Sequence, residues 1–407
     1  MRRLLPAVAG ALGAGLLAAL LPMGAASADT GDAGTATARI SVSVDGTQGN
    51  DTSFDPVISR NGRYLAFVSW ATNLVPSDPA PSGLQTYLRD LQEGTLERVT
   101  LDGAPAEVYD FSASGDRMLI RSLDGLYVRD LPTGLTQRVD LDLGEFTGGS
   151  PSGARISGSG RHVVFAQSRP SGSTAAEGSR VYVRDLLDGT TQWVSQPNTA
   201  TETYYAAWPV ISDDGRRIAY TNVRYLPKGP GKGHAHLLDR STGERQTVDV
   251  SHDGSTPERA VGGLSLSADG SLVLFHRSDS SPVTANDQKS TTFLRELSTG
   301  TTRPIPSSQP TSHGSLSADG RFVLFMAGVV GPNTWPLPPL FQWDRETGQG
   351  RLVTVTKDGG PATGYPGQVA MTGDGRTVAF ESRDSDIVPG DTNNTWDVFV
   401  RTLPPAS

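Results

Sequence analysis

Short apolar runs separated by glycine-bearing polar turns recur along the chain from residue 38 onward, and they follow one template. A hydroxyl residue is followed three positions later by glycine, and five positions after that by a large apolar residue. The copies read SRNGRYLAF from Ser59, SASGDRMLI from Ser112, SGSGRHVVF from Ser157, SDDGRRIAY from Ser212, SADGSLVLF from Ser267, SADGRFVLF from Ser317 and TGDGRTVAF from Thr372. Invariant spacing of this kind is the mark of an internal repeat. An apolar residue precedes each hydroxyl (Ile58, Phe111, Ile156, Ile211, Leu266, Leu316, Met371), so each copy predicts a short strand, a tight turn at the glycine and a second strand.

A second motif follows each copy after a gap of variable length. It reads YLRDLQEG at Tyr87, YVRDLPTG at Tyr127, YVRDLLDG at Tyr182, HLLDRSTG at His236, FLRELSTG at Phe293, FQWDRETG at Phe341 and FVRTL at Phe399. This predicts a third strand and, after the glycine turn, a fourth such as LERVT or TQRVD. Each repeat is then a four-stranded antiparallel sheet of about fifty residues, the size of a propeller blade.

The seventh copy stops after its third strand, at Leu403. A segment resembling the missing fourth strand lies at the other end, where ARISVSVDG (Ala38 to Gly46) matches LERVTLDG (Leu96 to Gly103) and RQTVDVSHDG (Arg245 to Gly254). The expected fold is therefore all-β, a seven-bladed propeller of four-stranded antiparallel blades whose last blade is closed by the N-terminal strand. Closure of this kind removes sheet edges that would otherwise template aggregation.

The repeats resemble the TolB-type propeller repeat, a WD40-like unit whose core reads S-P-D-G-[KR] followed by an apolar strand, over Ala38 to Leu403. No copy here has the proline, and Asn61, Ser114 and Ser159 replace the aspartate in the first three. The resemblance implies a propeller, and it does not imply a role in Tol transport.

Met1, Arg2 and Arg3 precede an uncharged apolar run from Leu4 to Met23 and then Ala26-Ser27-Ala28, the layout of a secretory signal peptide cleaved after Ala28. The expected organisation is residues 1–28 as signal peptide, 29–37 as flexible linker and 38–404 as a single propeller domain. Secretion follows as the expected localisation. With no cysteine, there is no lipid anchor and no disulfide framework, so the mature protein is expected to be a free monomer with no membrane insertion. A formal net charge of −8 without a basic run argues against nucleic-acid binding.

Strand connectivity sorts the loops. The S-x-D-G turns and the T-G turns share one face, and the long variable loops share the other, where recognition is usually built. Innermost strands start at that variable face, which makes Asp55, Asp110, Arg155, Trp208 and His313 candidate ligand-binding residues around the channel mouth. The loop DTNNTWD places oxygen ligands at Asp391, Asn393 and Asp397, a set suited to a hard cation such as calcium. The recurring Ser and Asp read as turn chemistry, the Arg-Asp pairs of the third strands as turn or blade-to-blade contacts, and His236 as the occupant of an aromatic packing slot. Two imidazoles, His234 and His236, make an incomplete metal site.

No G-x-S-x-G elbow is present and no length remains for a hydrolase domain. The first functional expectation is a non-catalytic binding or scaffold module whose partner is a protein, peptide or glycan. The alternative is a propeller enzyme of lyase or lactonase type, with a metal-assisted site at the channel mouth.

Overall fold

The computed structural model describes residues 36–405 except 76–82, 171–177, 196–203, 225–231, 252, 257–259, 280–288, 308, 310, 329–337 and 363–367. Among these residues the regular structure is β-strand, apart from one 3-10 turn at Gly144–Phe146. The strands assemble as sequential antiparallel hairpins, each repeat contributing a sheet in chain order. In the first repeat the order is Ser53–Ile58, Tyr64–Ser69, Gln85–Asp90 and Leu96–Arg98.

Five sheets have four strands and one has eight. The expectation of seven separate four-stranded sheets is thus corrected to five, because the third and fourth repeats run together. Ser179 on the third strand of one repeat pairs in parallel with Tyr205 on the innermost strand of the next. A small extra ribbon, Thr100–Leu101 with Ala104–Pro105, links the first two repeats.

The N-terminal strand does complete the last sheet, in a shifted frame. Ala36–Arg39 pairs antiparallel with Asp397–Thr402, in the register Ala36 to Thr402 and Arg39 to Phe399. The sequence match to the fourth strands starts at Ala38 and runs through a turn to Gly46; pairing begins two residues earlier and the strand ends at Arg39. Beyond Arg39 the chain turns back on itself: Val42 bridges Gln48, and Gly46 adopts φ +87° in the connecting turn. The Ser41 side chain, buried against Asp397, makes this departure from the sheet specific.

Packing explains the sequence columns. Residues of alternate parity on each strand face the neighbouring sheet, so the apolar clusters straddle sheet boundaries. One cluster joins Ala66, Leu88 and Val99 of the first repeat to Val108, Phe111, Met118 and Ile120 of the second. The aromatic column forms cross-strand stacks, with centroid separations of 5.7 Å for Phe67–Tyr87, 5.5 Å for Phe275–Phe293 and 5.7 Å for Phe380–Phe399. Each fully buried ring of this size is worth about 2–3 kcal/mol of transfer free energy. His236 packs against Tyr220 in the same column, with ring centroids 5.7 Å apart and the planes tilted by 40°.

The S-x-D-G turns are built by their own side chains. Ser317 Oγ donates to Asp319 at 2.5 Å and accepts the Phe322 N–H at 2.8 Å, while Asp319 accepts the Arg321 N–H at 2.9 Å. The hydroxyl-to-aspartate bond recurs at Ser212, Ser267 and Thr372. These turns also join one another around the axis. Ala113 N–H donates to Gly158 O, Ser159 to Asp213, Asp213 to Ala268, Ala268 to Ala318, Ala318 to Gly373, and Gly373 to Arg60. The Asn61 side chain closes the circle on Ser114 O. Every copy of the turn is thereby a link in one annular chain of hydrogen bonds.

Third-strand aspartates brace the same face. Asp185 accepts from Arg161 at 2.7 Å and caps the Leu187 and Asp188 amides, so its carboxyl is held well below the usual carboxylate range, chiefly by Arg161.

Candidate site at the channel mouth

Innermost strands line an axial cavity of about 370 Å³, bounded among others by Val57, Asp110, Arg155, Val210, Ser265 and Met371. Six of these strands carry a register shift near their entry to the channel, at 54/57, 108/110, 152/155, 207/210, 262/265 and 312/314. A bulge of this kind re-aims side chains and is enriched beside active sites. At the position four residues before the turn hydroxyl, the backbone enters the left-handed region in four repeats: Asp55 (φ 53°), Gly153 (φ 56°), Trp208 (φ 49°) and Gly263 (φ 58°). Glycine adopts this conformation freely, whereas a bulky aromatic there is a genuine outlier.

Carboxyl groups gather around Asp55. Its backbone N–H donates to Glu381 Oε2 at 2.6 Å, drawing the second strand of the last repeat toward the innermost strand of the first. Glu381 is buried, and that burial pushes its carboxyl up to about 7, opposed by hydrogen bonds from the Asp55 and Gln368 amides. The Asp55 carboxyl is raised by burial as well. Glu107 nearby is half-buried and raised for the same reason, with Arg121 opposing the shift. Arg121 also donates to Tyr109 Oη at 3.1 Å. Asp110 accepts the Ile156 N–H at 3.1 Å and the Phe111 N–H at 2.9 Å; enclosure in the channel raises its carboxyl against the opposing charges of Arg155 and Arg60.

The residues singled out from sequence fall into place unevenly. Asp55 lies beside Glu381, one residue before the cavity lining starts at Pro56, and Asp110 and Arg155 line the cavity from neighbouring repeats. Trp208 stands at the rim with 55% of its surface exposed. The backbone of His313 lies in the strand Thr311–Leu316, and its side chain lies outside the described residues. Glu107, Tyr109, Arg121 and Glu381 are not among the candidates that the sequence pattern singles out. A signal was present: the residue after the aromatic column reads Val68, Arg121, Ala166, Thr221, His276, Met326, Glu381, so ionisable groups interrupt an otherwise largely apolar column.

Asp391, Asn393 and Asp397 are also brought together, around a cation supplied by the chain itself. Arg39 lies 3.6 Å from both Asp391 and Asp397, and Gln48 Nε2 donates to the same two carboxylates at 2.9 and 3.0 Å. Asp397 further accepts from Ser41 at 2.5 Å and from Asn393 at 3.3 Å, and it is fully buried. The calcium expectation thus meets carboxylates already engaged by a guanidinium and two amides. Elsewhere, His234 Nδ1 pairs with the buried Asp249 at 3.1 Å. Among the described residues, no group of three or more His, Asp or Glu side chains is arranged to hold a metal ion.

No protein-family model and no curated protein matches the sequence. Solved structures do match the fold. An oligogalacturonate lyase in complex with manganese superposes with a TM-score of 0.61 at 16% identity, covering 91% of this chain and 96% of that one. The oligogalacturonate lyase of Vibrio parahaemolyticus gives 0.60 at 12% identity, over 91% and 97% of the two chains. The β-propeller domain of the Trilobed protease from Pyrococcus furiosus, described as having an open velcro topology, gives 0.56 at 12% identity over 86% and 93%. At such identities the likeness shows an all-β propeller and nothing finer.

Proposed function

We propose that the channel mouth is the acid–base site of a propeller enzyme of the lyase class acting on an acidic oligosaccharide. This reverses the order expected from sequence, in which a non-catalytic binder stood first. The observation that carries the reading is Glu381, a buried carboxyl that accepts the backbone N–H of the half-buried Asp55 at 2.6 Å and is pushed up to about 7 by its burial. A general base is most effective when its pKa lies near the working pH, and carboxylates are tuned upward by burial for that purpose. The oligogalacturonate lyases among the structural neighbours support the substrate class.

The chemistry needs little else. In β-elimination from a uronate, a base takes the proton on the carbon beside the carboxylate, that electron pair forms a carbon–carbon double bond, and the bond to the leaving sugar oxygen breaks as that oxygen is protonated. Asp55 and Glu381 are the acid–base pair in this reading, and Arg155 neutralises the uronate carboxylate. Among the described residues no three His, Asp or Glu side chains are arranged to hold a metal ion, and the acid–base roles are assigned to carboxyls of this chain.

Turnover of oligogalacturonate and other oligouronates, followed by the ultraviolet absorbance of the unsaturated product, tests the proposal. Glu381→Gln should lower kcat by about 100-fold or more and abolish the limb of the pH profile near neutrality. Absence of turnover on every uronate, or a fully active Glu381→Gln with the limb intact, overturns it.

Three further readings accompany it. We count the eight-stranded sheet as two blades, which makes the ring seven-bladed, of TolB type. We take the chain to be exported, on the arrangement of Met1 to Ala28. A monomer acting on a diffusible saccharide is consistent with both.

A further inference from the structure

Trp208 combines three features that packing alone does not explain. Its backbone sits at φ 49°, where the equivalent positions of the flanking repeats carry Gly153 and Gly263. The residue nevertheless stays 55% exposed, so the strain is not repaid by full burial of its side chain. The ring also has glycine for a neighbour: a Cβ built at Gly262 would touch Trp208 Cζ3 at 3.7 Å and Cε3 at 3.8 Å, ordinary contact distances, so the indole lies one side-chain layer above that backbone. The ring therefore leans over Gly262, beside Val210 and Gly263, which line the cavity.

Strain of this sort persists only where surrounding structure or function maintains it. A flat aromatic surface, backed on one side and open on the other, at the entrance of a polar cavity suits a ligand with one apolar face and a polar perimeter. A pyranose ring is such a ligand: its axial C–H groups pack on the π surface while its hydroxyls remain hydrated.

We propose that Trp208 is a stacking platform that holds one pyranose unit of an oligosaccharide at the rim, across the innermost strands Tyr204–Ile211 and Ala260–Leu266. The inference rests on the reading of the channel mouth as a saccharide site, and it adds the contact by which the sugar is gripped.

The test compares wild type with Trp208→Gly and Trp208→Phe, by calorimetric titration with oligogalacturonate and with a neutral cello-oligosaccharide, alongside thermal unfolding. Trp208→Gly should weaken saccharide binding about tenfold or more, a loss of about 1.4 kcal/mol, while its thermal midpoint rises or holds because glycine accepts the left-handed backbone. Trp208→Phe should keep most of the affinity. Trp208-dependent binding of the neutral sugar without turnover of any uronate supports the platform and removes the lyase reading. Uronate turnover with KM unchanged in Trp208→Gly does the reverse. A lowered midpoint with unchanged affinity identifies Trp208 as packing, and wild-type protein that binds no saccharide overturns the platform.

Discussion

Substituting glutamine for Glu381 isolates the cost of an ionisable group at the channel mouth. The carboxyl ordinarily titrates at 4.5 and is raised to about 7 in the folded protein. Between those values the native state holds the proton more tightly than the unfolded chain, so stability falls as pH rises across that window and levels off above it. At about 1.4 kcal/mol per unit the full penalty is about 3 kcal/mol. Glutamine is never ionised and its carbonyl still accepts from the Asp55 amide, so the variant escapes the penalty. With an unfolding entropy of roughly 2.1 cal/mol/K per residue over about 370 residues, 3 kcal/mol corresponds to a shift of about 4 °C. Thermal melts of both proteins at pH 4.5, 6, 7 and 8 measure it. The midpoint of Glu381→Gln relative to wild type should climb through this series and then plateau. A difference that stays constant with pH, or that shrinks toward alkaline pH, refutes the assignment of Glu381 as a buried acid of raised pKa.

Other outcomes follow from the same contacts. Asp397→Ala should lower stability by about 3 kcal/mol, because Arg39, Ser41 and Gln48 lose a buried partner; with the same unfolding entropy, a thermal midpoint lowered by less than about 1 °C would contradict this. Metal-stripped wild type should give no calorimetric heat with calcium, whereas Arg39→Ala, which frees Asp391 and Asp397, should; heat from wild type that vanishes in Asp391→Ala would show that a cation displaces Arg39. Ser317→Ala should cost about 1–3 kcal/mol in unfolding experiments, since the Phe322 amide loses its acceptor. Deleting residues 36–39 should expose the edge of Asp397–Thr402 and produce aggregation on heating, read by light scattering.

Much of the architecture is legible because it rests on local chemistry. Ser317, Asp319 and Gly320 must sit at fixed spacing for the turn to close, so the spacing announces the turn wherever it recurs. The borrowed first strand is legible for a similar reason, since ARISV repeats the pattern of the fourth strands, although its frame is set by a distant contact between Ser41 and Asp397 and slips by two residues. The fusion of two sheets through Ser179 and Tyr205 leaves no trace in any motif, being one pairing between strands of different repeats.

The site is less legible because its properties arise between repeats. The neighbours of Glu381 in the chain do not announce its raised proton affinity, which comes from burial in the assembled sheets and persists against the hydrogen bond it accepts from the first repeat's Asp55 amide. The conformation of Trp208 is equally silent locally, and becomes visible only when Gly153 and Gly263 are aligned with it.

The annular run of amide-to-carbonyl links through Ala113, Ser159, Asp213, Ala268, Ala318, Gly373 and Asn61 behaves like a hoop on a barrel. It fixes the bore at the end remote from the long loops, and Arg60 reaches across that end to Asp213 as a tie-rod. Changes of loop length or composition at the opposite rim leave the girth untouched, so new specificities can be tried there without re-engineering the frame that carries them.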